Sequence, residues 1–201
     1  MNYTHIVWDF NGTILDDLWA GIMSENVLLR RRGMPELKTL QQYYDVFCFP
    51  IKSYYEKLGY DFEKERYEDV ADEWTREYDY FSGFSPVKSG VREAVEYFRA
   101  RGVSQTIISM SEVEMMKRQI ASFGITDYFD EILGLENNLA HSKLELARSW
   151  KERVNPRKVL MLGDTTHDIE TAKVLDADCI LIAGGHQSKE RLEQCGVPVL
   201  D

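Results

Sequence analysis

The stretch HIVWDFNGTILDD, residues 5–17, decides the fold, because an apolar run in it ends on a carboxylate. Residues 6–8 are β-branched or aromatic, which favours a strand buried on both faces of a parallel sheet. Asp9 closes this strand, at the edge where open α/β sheets bind ligands. Asn11 and Gly12 favour a turn whose backbone amides can surround an anion. By itself, the stretch fits equally well a strand, a turn and a helix cap without further function.

The composition is that of a globular protein. Hydrophobic residues make up 44% and charged residues 29% of the 201 residues, and 24 Lys and Arg stand against 34 Asp and Glu, a formal net charge of −10. Because nucleic acids and anionic membranes are held largely by basic side chains, this balance argues against both as main partners. An anionic substrate would therefore need a local positive site.

Sequence signals for export or membrane insertion are also missing. No stretch approaches the roughly 20 apolar residues that a membrane span needs, and the first residues lack a basic-then-apolar signal pattern. The three cysteines, Cys48, Cys179 and Cys195, are widely separated and lack metal-site spacing. We therefore expect reduced thiols in a cytoplasmic protein.

A long segment after the first strand has the pattern of helices. Apolar residues recur at helical spacing in residues 19–27 and again in residues 40–81. Eight of the eleven tyrosines lie between Tyr43 and Tyr80, which favours an aromatic core between helices over a lined pocket. We expect residues 16–84 to form an all-helical cap domain.

The remainder of the chain alternates between strand and helix patterns. Ser111 and Glu114 have the spacing of a capping box at the start of one helix. The other predicted strands lie at residues 105–109, 131–134, 159–162 and 179–183. Such alternation indicates a parallel sheet with right-handed crossovers. We therefore expect an α/β fold in which residues 1–15 and 85–201 form a Rossmann-like core domain.

Four polar side chains stand at comparable places in this predicted fold. They follow three of the strands or open a late helix: Asp9, Ser109, Asp164 and Lys143. Because the ends of parallel strands lie on one edge of the sheet, these residues should converge. A carboxylate can attack phosphorus and form an aspartyl-phosphate. The attacking carboxylate and the phosphoryl group repel each other, so such a site must bring positive charge.

Mg²⁺ and Lys143 are the expected sources of that charge. Mg²⁺ is usually held by one or two carboxylates, here Asp9 and Asp164, together with waters and a phosphate oxygen. Asp168 could face the same cation or only offset the dipole of its helix. Lys143 would bind the phosphoryl oxygens and lower the pKa of Asp9. The Ser109 hydroxyl and the Met110 amide can also hydrogen-bond the phosphoryl group.

The order of these motifs resembles that of a known family. DFNGT at 9–13, TIIS at 106–109, Lys143 and GDTTHD at 163–168 are similar to the haloacid dehalogenase-like hydrolase superfamily, and in particular to its phosphoglycolate phosphatase-like branch. The resemblance implies a helical cap that closes over the site and selects the substrate, a small phosphorylated metabolite. It also implies these roles: Asp9 as nucleophile; Asp9, the backbone carbonyl of Asn11 and Asp164 as Mg²⁺ ligands; Asp168 as a ligand or its support; Ser109 and Lys143 as phosphoryl-binding residues.

Asn11 departs from the pattern of these phosphatases, which usually carry Asp two residues after the nucleophile. An amide cannot exchange a proton, and general acid–base help is typically about 10²–10⁴-fold. Three readings remain open: a substrate with a good leaving group, another proton donor such as His167 or a cap residue, or a phospholigand-binding protein with little turnover. Deamidation of Asn11, which precedes Gly12, would restore the carboxylate.

The leading hypothesis is a Mg²⁺-dependent phosphatase that hydrolyses a small phosphate monoester through an aspartyl-phosphate. A phospho-accepting receiver and a dehalogenase are weaker alternatives, because the helical insertion and the Asp164 metal site do not suit them. The GGHQS stretch at 184–188 fits a rim of the site or a plain turn.

Overall fold

The computed structural model describes residues 2–135 and 142–201. The chain divides into two compact units. The first consists of Met1–Asp16 and Pro86–Asp201, and the second of Asp17–Ser85. Among the described residues, no helix is both long and apolar enough to cross a membrane.

The first unit contains a parallel sheet. Its strands are β1 (His5–Trp8), β2 (Ser104–Glu112), β3 (Glu131–Leu135), β4 (Val159–Gly163), β5 (Asp178–Ile182) and β6 (Val199–Leu200). The described residues form six strands in the order β3-β2-β1-β4-β5-β6, and every neighbouring pair is parallel. The predicted α/β fold class is thereby confirmed. The sequence pattern missed β6, because two residues are too few to show an alternation.

Helices connect the strands and make up most of the second unit. In chain order they are α1 (Leu18–Arg31), α2 (Leu40–Val46), α3 (Ile51–Leu58), α4 (Tyr67–Ser82), α5 (Val91–Arg99), α6 (Val113–Ser122), α7 (Lys143–Val154), α8 (Thr166–Leu175) and α9 (Lys189–Glu193). A short 3₁₀ helix spans Thr126–Tyr128.

β1 lies at the centre of the sheet and is buried on both faces. Ile6 and Trp8 pack into one hydrophobic cluster, whereas Val7 packs into another on the opposite face. This is the consequence of side chains that alternate along a strand. The strand is held on both sides, since Trp8 is in register with Ile107 of β2 and with Leu162 of β4. The residues that follow β1 are therefore placed by the core itself.

The predicted capping box at Ser111 and Glu114 is wrong. β2 continues to Glu112, and the Glu112 carboxylate accepts hydrogen bonds from the backbone N–H groups of Glu114 and Met115 at the start of α6. Glu112 therefore takes the capping role, and the hydroxyl of Ser111 is available for another contact.

The second unit has a core rich in tyrosine. Tyr43, Tyr54, Tyr55 and Tyr60 are buried together with aliphatic residues of α1, in agreement with the expected aromatic core. Glu25 of α1 is also fully buried there. One of its oxygens accepts a hydrogen bond of 2.7 Å from the Tyr60 hydroxyl, and the other has no hydrogen-bond partner among the described atoms.

The chain segments on either side of the second unit pair with each other. The Asp16 N–H donates to the Pro86 carbonyl at 2.9 Å, and the Lys88 N–H donates to the Ile14 carbonyl at 2.8 Å. Leu15 and Val87 form an antiparallel bridge between these bonds. All of these residues belong to the first unit.

Candidate active site

Asp9 and Lys143 meet at the carboxyl edge of the sheet in the first unit. The Lys143 ammonium lies 2.5 Å from an oxygen of Asp9 and 2.5 Å from an oxygen of Asp168. Lys143 begins α7, whose N-cap is Ser142, and its side chain is only 4% exposed. A residue from the end of β1 is thus joined to the starts of two helices that lie far apart in the sequence.

Asp168 is almost completely occupied by protein donors. One oxygen binds Lys143, and the other accepts from the backbone N–H groups of Asp164 and Thr165 and from the Thr165 hydroxyl. These bonds close the first turn of α8, where a carboxylate is also favoured by the helix dipole. This geometry favours the supporting role for Asp168 over direct coordination of a cation.

Asp164 lies in a space that a larger neighbour would fill. A Cβ atom at Gly12 or at Gly185 would lie 2.2 Å from an Asp164 carboxylate oxygen. Thr13 donates its hydroxyl to one oxygen at 3.2 Å, and the His186 N–H donates to the other at 2.6 Å. The turns after β1 and after β5 therefore hold this fully buried carboxylate between them.

Asn11 faces two serines of β2. Its side-chain oxygen accepts from the Ser111 hydroxyl at 2.5 Å and from the Ser109 hydroxyl at 3.4 Å. The Ser111 N–H donates to the Ser109 oxygen at 3.1 Å, so Ser109 has its hydroxyl proton left to donate to Asn11. Ser109 is buried, whereas Met110, whose amide is one of the predicted phosphoryl-binding groups, is 40% exposed.

The electrostatics of the site differ in one respect from expectation. Burial raises the pKa of Asp9, and although Lys143 lowers it, the carboxylates of Asp168 and Asp164 raise it again, so the net shift is upward. The expected lowering by Lys143 is therefore present but outweighed. Burial lowers the pKa of Lys143, but Asp168 and Asp9 raise it more strongly, and the ammonium form is retained.

The donor set fits a divalent cation. Carboxylate oxygens of Asp9, Asp164 and Asp168 all lie within 4.8 Å of one another, and the three residues are buried. Only one ammonium contacts this group among the described residues, so three buried carboxyl groups share a single positive charge. Uncompensated buried charge is unfavourable, and hard oxygen ligands are those that Mg²⁺ prefers.

Three residues that contact the site had no predicted role there: Thr13, Ser111 and Thr165. Gly185 and His186, which also contact it, lie in the GGHQS stretch, for which a rim of the site was one of two interpretations. The adjacent glycines at 184 and 185 were a usable signal, because close approach of backbone to a side chain requires the absence of a Cβ. The hydroxyl contacts follow from the fold and have no signature in the sequence.

A family model described as haloacid dehalogenase-like hydrolase matches residues 6–182. A protein of Caldanaerobacter subterraneus subsp. tengcongensis, named provisionally as the pyrophosphatase PpaX, is 24% identical over 86% of this chain and 78% of its own. A phosphoglycolate phosphatase of Vibrio vulnificus is 26% identical over 41% of this chain and 38% of its own.

The fold also matches solved structures. A hydrolase of Streptococcus pneumoniae, the haloacid dehalogenase-like family protein SP0104, superposes with a TM-score of 0.77 at 16% identity. The match covers 98% of this chain and 92% of that one. At such low identity the likeness concerns the fold, and the side chains described above must carry the chemical argument.

Proposed function

The chain belongs to the haloacid dehalogenase-like hydrolase family, and from this premise we propose that it is a Mg²⁺-dependent phosphatase acting on a small phosphate monoester. The observation that carries the proposal is the buried cluster of Asp9, Lys143, Asp164 and Asp168 at one edge of the sheet. A cluster of this kind brings an anionic nucleophile and compensating positive charge to the same place, which phosphoryl transfer requires.

Asp9 is the proposed nucleophile. One carboxylate oxygen forms a bond to phosphorus while the bond from phosphorus to the ester oxygen breaks, and the ester oxygen leaves with the electron pair and takes a proton from water. Water then attacks phosphorus, the bond to Asp9 breaks, and inorganic phosphate is released. Splitting one displacement into two in this way is the general benefit of covalent catalysis.

The neighbouring groups bind and orient the phosphoryl group. Lys143 supplies an ammonium beside Asp9, and the Ser109 hydroxyl lies on the adjacent strand. Asp9, Asp164 and the backbone carbonyl of Asn11 are the proposed ligands of Mg²⁺, with Asp168 in support. When bound, Mg²⁺ would neutralise charge on the nucleophile and the phosphoryl oxygens.

The second unit, Asp17–Ser85, is proposed to be the cap that selects the substrate, and the substrate is proposed to be a small phosphorylated metabolite. This unit has a hydrophobic core of its own, which is rich in tyrosine. A cytoplasmic location is proposed for the enzyme, in keeping with the described cysteines, which are all free thiols.

The test is the release of phosphate from 4-nitrophenyl phosphate with Mg²⁺. We expect turnover in the wild type and a loss of more than about 10³-fold in Asp9→Asn, because the nucleophile is removed. Asp16→Asn, at an exposed position nearby, is the matched control and should retain activity. Wild-type rates of phosphate release in Asp9→Asn would refute the role of Asp9 as the nucleophile. Saturable binding of phosphate without turnover would instead support a phospholigand-binding protein.

A further inference from the structure

Asp164 lies between the turn after β1 and a second segment of irregular backbone, residues 184–188. This 184–188 segment joins β5 to α9 and belongs to neither a helix nor a strand. Its backbone passes so close to Asp164 that a Cβ at Gly185 would lie 2.2 Å from Oδ2. The His186 N–H donates to the same oxygen at 2.6 Å. A small displacement of the 184–188 segment must therefore displace the Asp164 carboxylate.

Gln187 attaches the 184–188 segment to the start of α8. The residue is only 1% exposed. Its Oε1 accepts from the Thr166 N–H at 2.9 Å, and its Nε2 donates to the Thr166 hydroxyl at 3.3 Å. Thr166 is the first residue of α8, where backbone N–H groups have no partner within the helix, and it lies two residues beyond Asp164. The buried amide thus joins the segment to the turn that carries Asp164.

Lys88 attaches the other end of the 184–188 segment. Its ammonium donates to the Gly184 carbonyl at 2.8 Å, and such charge-assisted hydrogen bonds are stronger than neutral ones. The backbone of Lys88 is itself anchored, since its N–H donates to the Ile14 carbonyl at 2.8 Å. Ile14 follows Thr13, whose hydroxyl donates to the other oxygen of Asp164. Lys88 therefore connects the two segments between which Asp164 lies.

We propose that Lys88 and Gln187 are positioning residues that hold the 184–188 segment against Asp164 and thereby set the affinity of the site for a divalent cation. The inference rests on the function proposed above, in which Asp164 is a ligand of Mg²⁺. Neither side chain binds the cation, and both act through the backbone of the segment. Groups that orient a metal ligand in this way typically contribute about 10- to 100-fold to metal affinity.

The charge of Lys88 makes positioning and simple electrostatics predict opposite changes. Loss of an ammonium near the site makes its surroundings more negative, so a divalent cation should bind more tightly if charge alone matters. Loss of a positioning contact weakens binding instead. Gln187 is neutral, and its removal has only the second effect. The direction of the change in Lys88→Met therefore distinguishes the two explanations.

The experiment titrates the protein with Mg²⁺ in the absence of substrate and measures the Kd by calorimetry. We expect the Kd to rise by about 10-fold or more in Lys88→Met and in Gln187→Leu. Lys151→Met is the matched control, because Lys151 also donates to a backbone carbonyl, that of Val174, and its loss changes the net charge equally. Val174 lies near the end of α8 that is remote from Asp164, so the Kd should not change.

Two further measurements separate positioning from a contribution to stability alone. Thermal unfolding without Mg²⁺ reports the stability of each variant, and a purely structural role would lower the Tm and leave the Kd unchanged. Half-maximal phosphate release from 4-nitrophenyl phosphate should require about 10-fold more Mg²⁺ in Lys88→Met, with little change in the substrate KM at saturating Mg²⁺. If Gln187→Leu does not fold, Lys88→Met, at a partly exposed position, decides.

The outcomes distinguish this proposal from the phosphatase function. A Kd that stays the same or falls in Lys88→Met would overturn the role of Lys88, and the same result in Gln187→Leu would overturn that of Gln187, while the phosphatase function would stand. An equal rise in Lys151→Met would assign the effect to net charge and would also overturn the role of Lys88. Mg²⁺ binding without phosphate release would contradict the phosphatase function, and the Kd values would still decide the positioning roles. Absence of Mg²⁺ binding in the wild type would overturn both proposals.

Discussion

At the scale of single residues, the position of Asp164 depends on atoms that its neighbours lack. Gly12 and Gly185 leave room for the carboxylate, and Thr13 and His186 then orient its two oxygens. Gly12 also has a φ of +69°, which disfavours any other residue there. Gly185 has no such backbone restriction, and its role is steric.

Gly185→Ala should therefore displace Asp164 without straining the backbone. The new Cβ would lie 2.2 Å from Oδ2, so the carboxylate must move. We expect kcat to fall by more than about 10-fold and the free energy of unfolding to fall by about 1–3 kcal/mol, as in other overpacked sites. Gly83→Ala is the control, since its nearest neighbour would be 3.4 Å away. Unchanged kcat in Gly185→Ala would contradict the assigned role of Asp164.

Residue roles were predictable to different degrees. Asp9, Lys143, Asp164 and Asp168 could be grouped from the sequence because the ends of parallel strands meet. The hydrogen bonds that Asp168 accepts from protein donors could not be predicted from the sequence, since they depend on the first turn of α8. The net upward shift in the pKa of Asp9 could not be predicted either, because burial is a property of the packed fold.

At the scale of elements, the strands were easier to predict than the helix ends. β1 and β4 are continuous apolar runs, and both are found where the pattern indicates. The start of α6 was misassigned because the two candidate N-cap residues, Ser111 and Glu112, are adjacent in the sequence. Local propensity favours Ser111 as the N-cap, but β2 continues through Ser111 to Glu112, so the strand overrides that preference.

Glu112→Ala should weaken α6 at its N-terminus. Its carboxylate accepts from two backbone N–H groups that would otherwise be unpaired at the helix start. We expect a loss of about 1 kcal/mol in the free energy of unfolding, measured by urea denaturation. Glu114→Ala, at the position of the rejected capping box, should lose less. A larger loss in Glu114→Ala than in Glu112→Ala would favour the capping box of Ser111 and Glu114 and contradict Glu112 as the N-cap.

α1 carries a buried carboxyl group, Glu25, whose charged form is disfavoured by burial. Burial raises the pKa of Glu25 to about 7, although the Tyr60 hydroxyl and Arg32 lower it and Glu73 raises it. Because this value lies above that of an unfolded glutamate, the folded state binds the proton more tightly. The contribution of the Glu25 proton to the free energy of unfolding is complete below about pH 4.5 and is lost as the pH rises through about 7.

Glu25→Gln should remove this pH dependence. At pH 8 the variant should be more stable than the wild type by up to about 3 kcal/mol, and at pH 5 the difference should nearly vanish. Urea denaturation at both pH values measures it. Glu56→Gln, an exposed position on α3, is the control. An equal difference at pH 5 and pH 8 would show that the charge of Glu25 is not responsible.

At the scale of the whole molecule, two groups of acidic residues can attract a cation, those at the surface and those in a buried cluster. The formal net charge is −10, and most of it can be solvated at the surface, where it attracts any cation weakly. The buried cluster of Asp9, Asp164 and Asp168 is different, because its carboxylates share one cleft. A specific effect of Mg²⁺ on stability must therefore be separated from a general effect of ionic strength.

Mg²⁺ should raise the melting temperature of the protein, since a ligand that binds only the folded state stabilises it by mass action. At 100 times its dissociation constant the gain is about 2.7 kcal/mol. NaCl at equal ionic strength should have a smaller effect, and Asp164→Asn should lose the specific part. An equal rise with NaCl, or an undiminished rise in Asp164→Asn, would contradict the metal site.

The pairing of Asp16 with Pro86 has a consequence for the ancestry of the chain. The two ends from which Asp17–Ser85 departs lie one backbone hydrogen bond apart, beside the bridge of Leu15 and Val87. A segment inserted between such ends can be lengthened, shortened or exchanged by recombination while the sheet keeps its connectivity. Under the cap role proposed above, substrate range and catalytic machinery are open to separate evolution, and the same junction is a natural graft point for chimaeric enzymes.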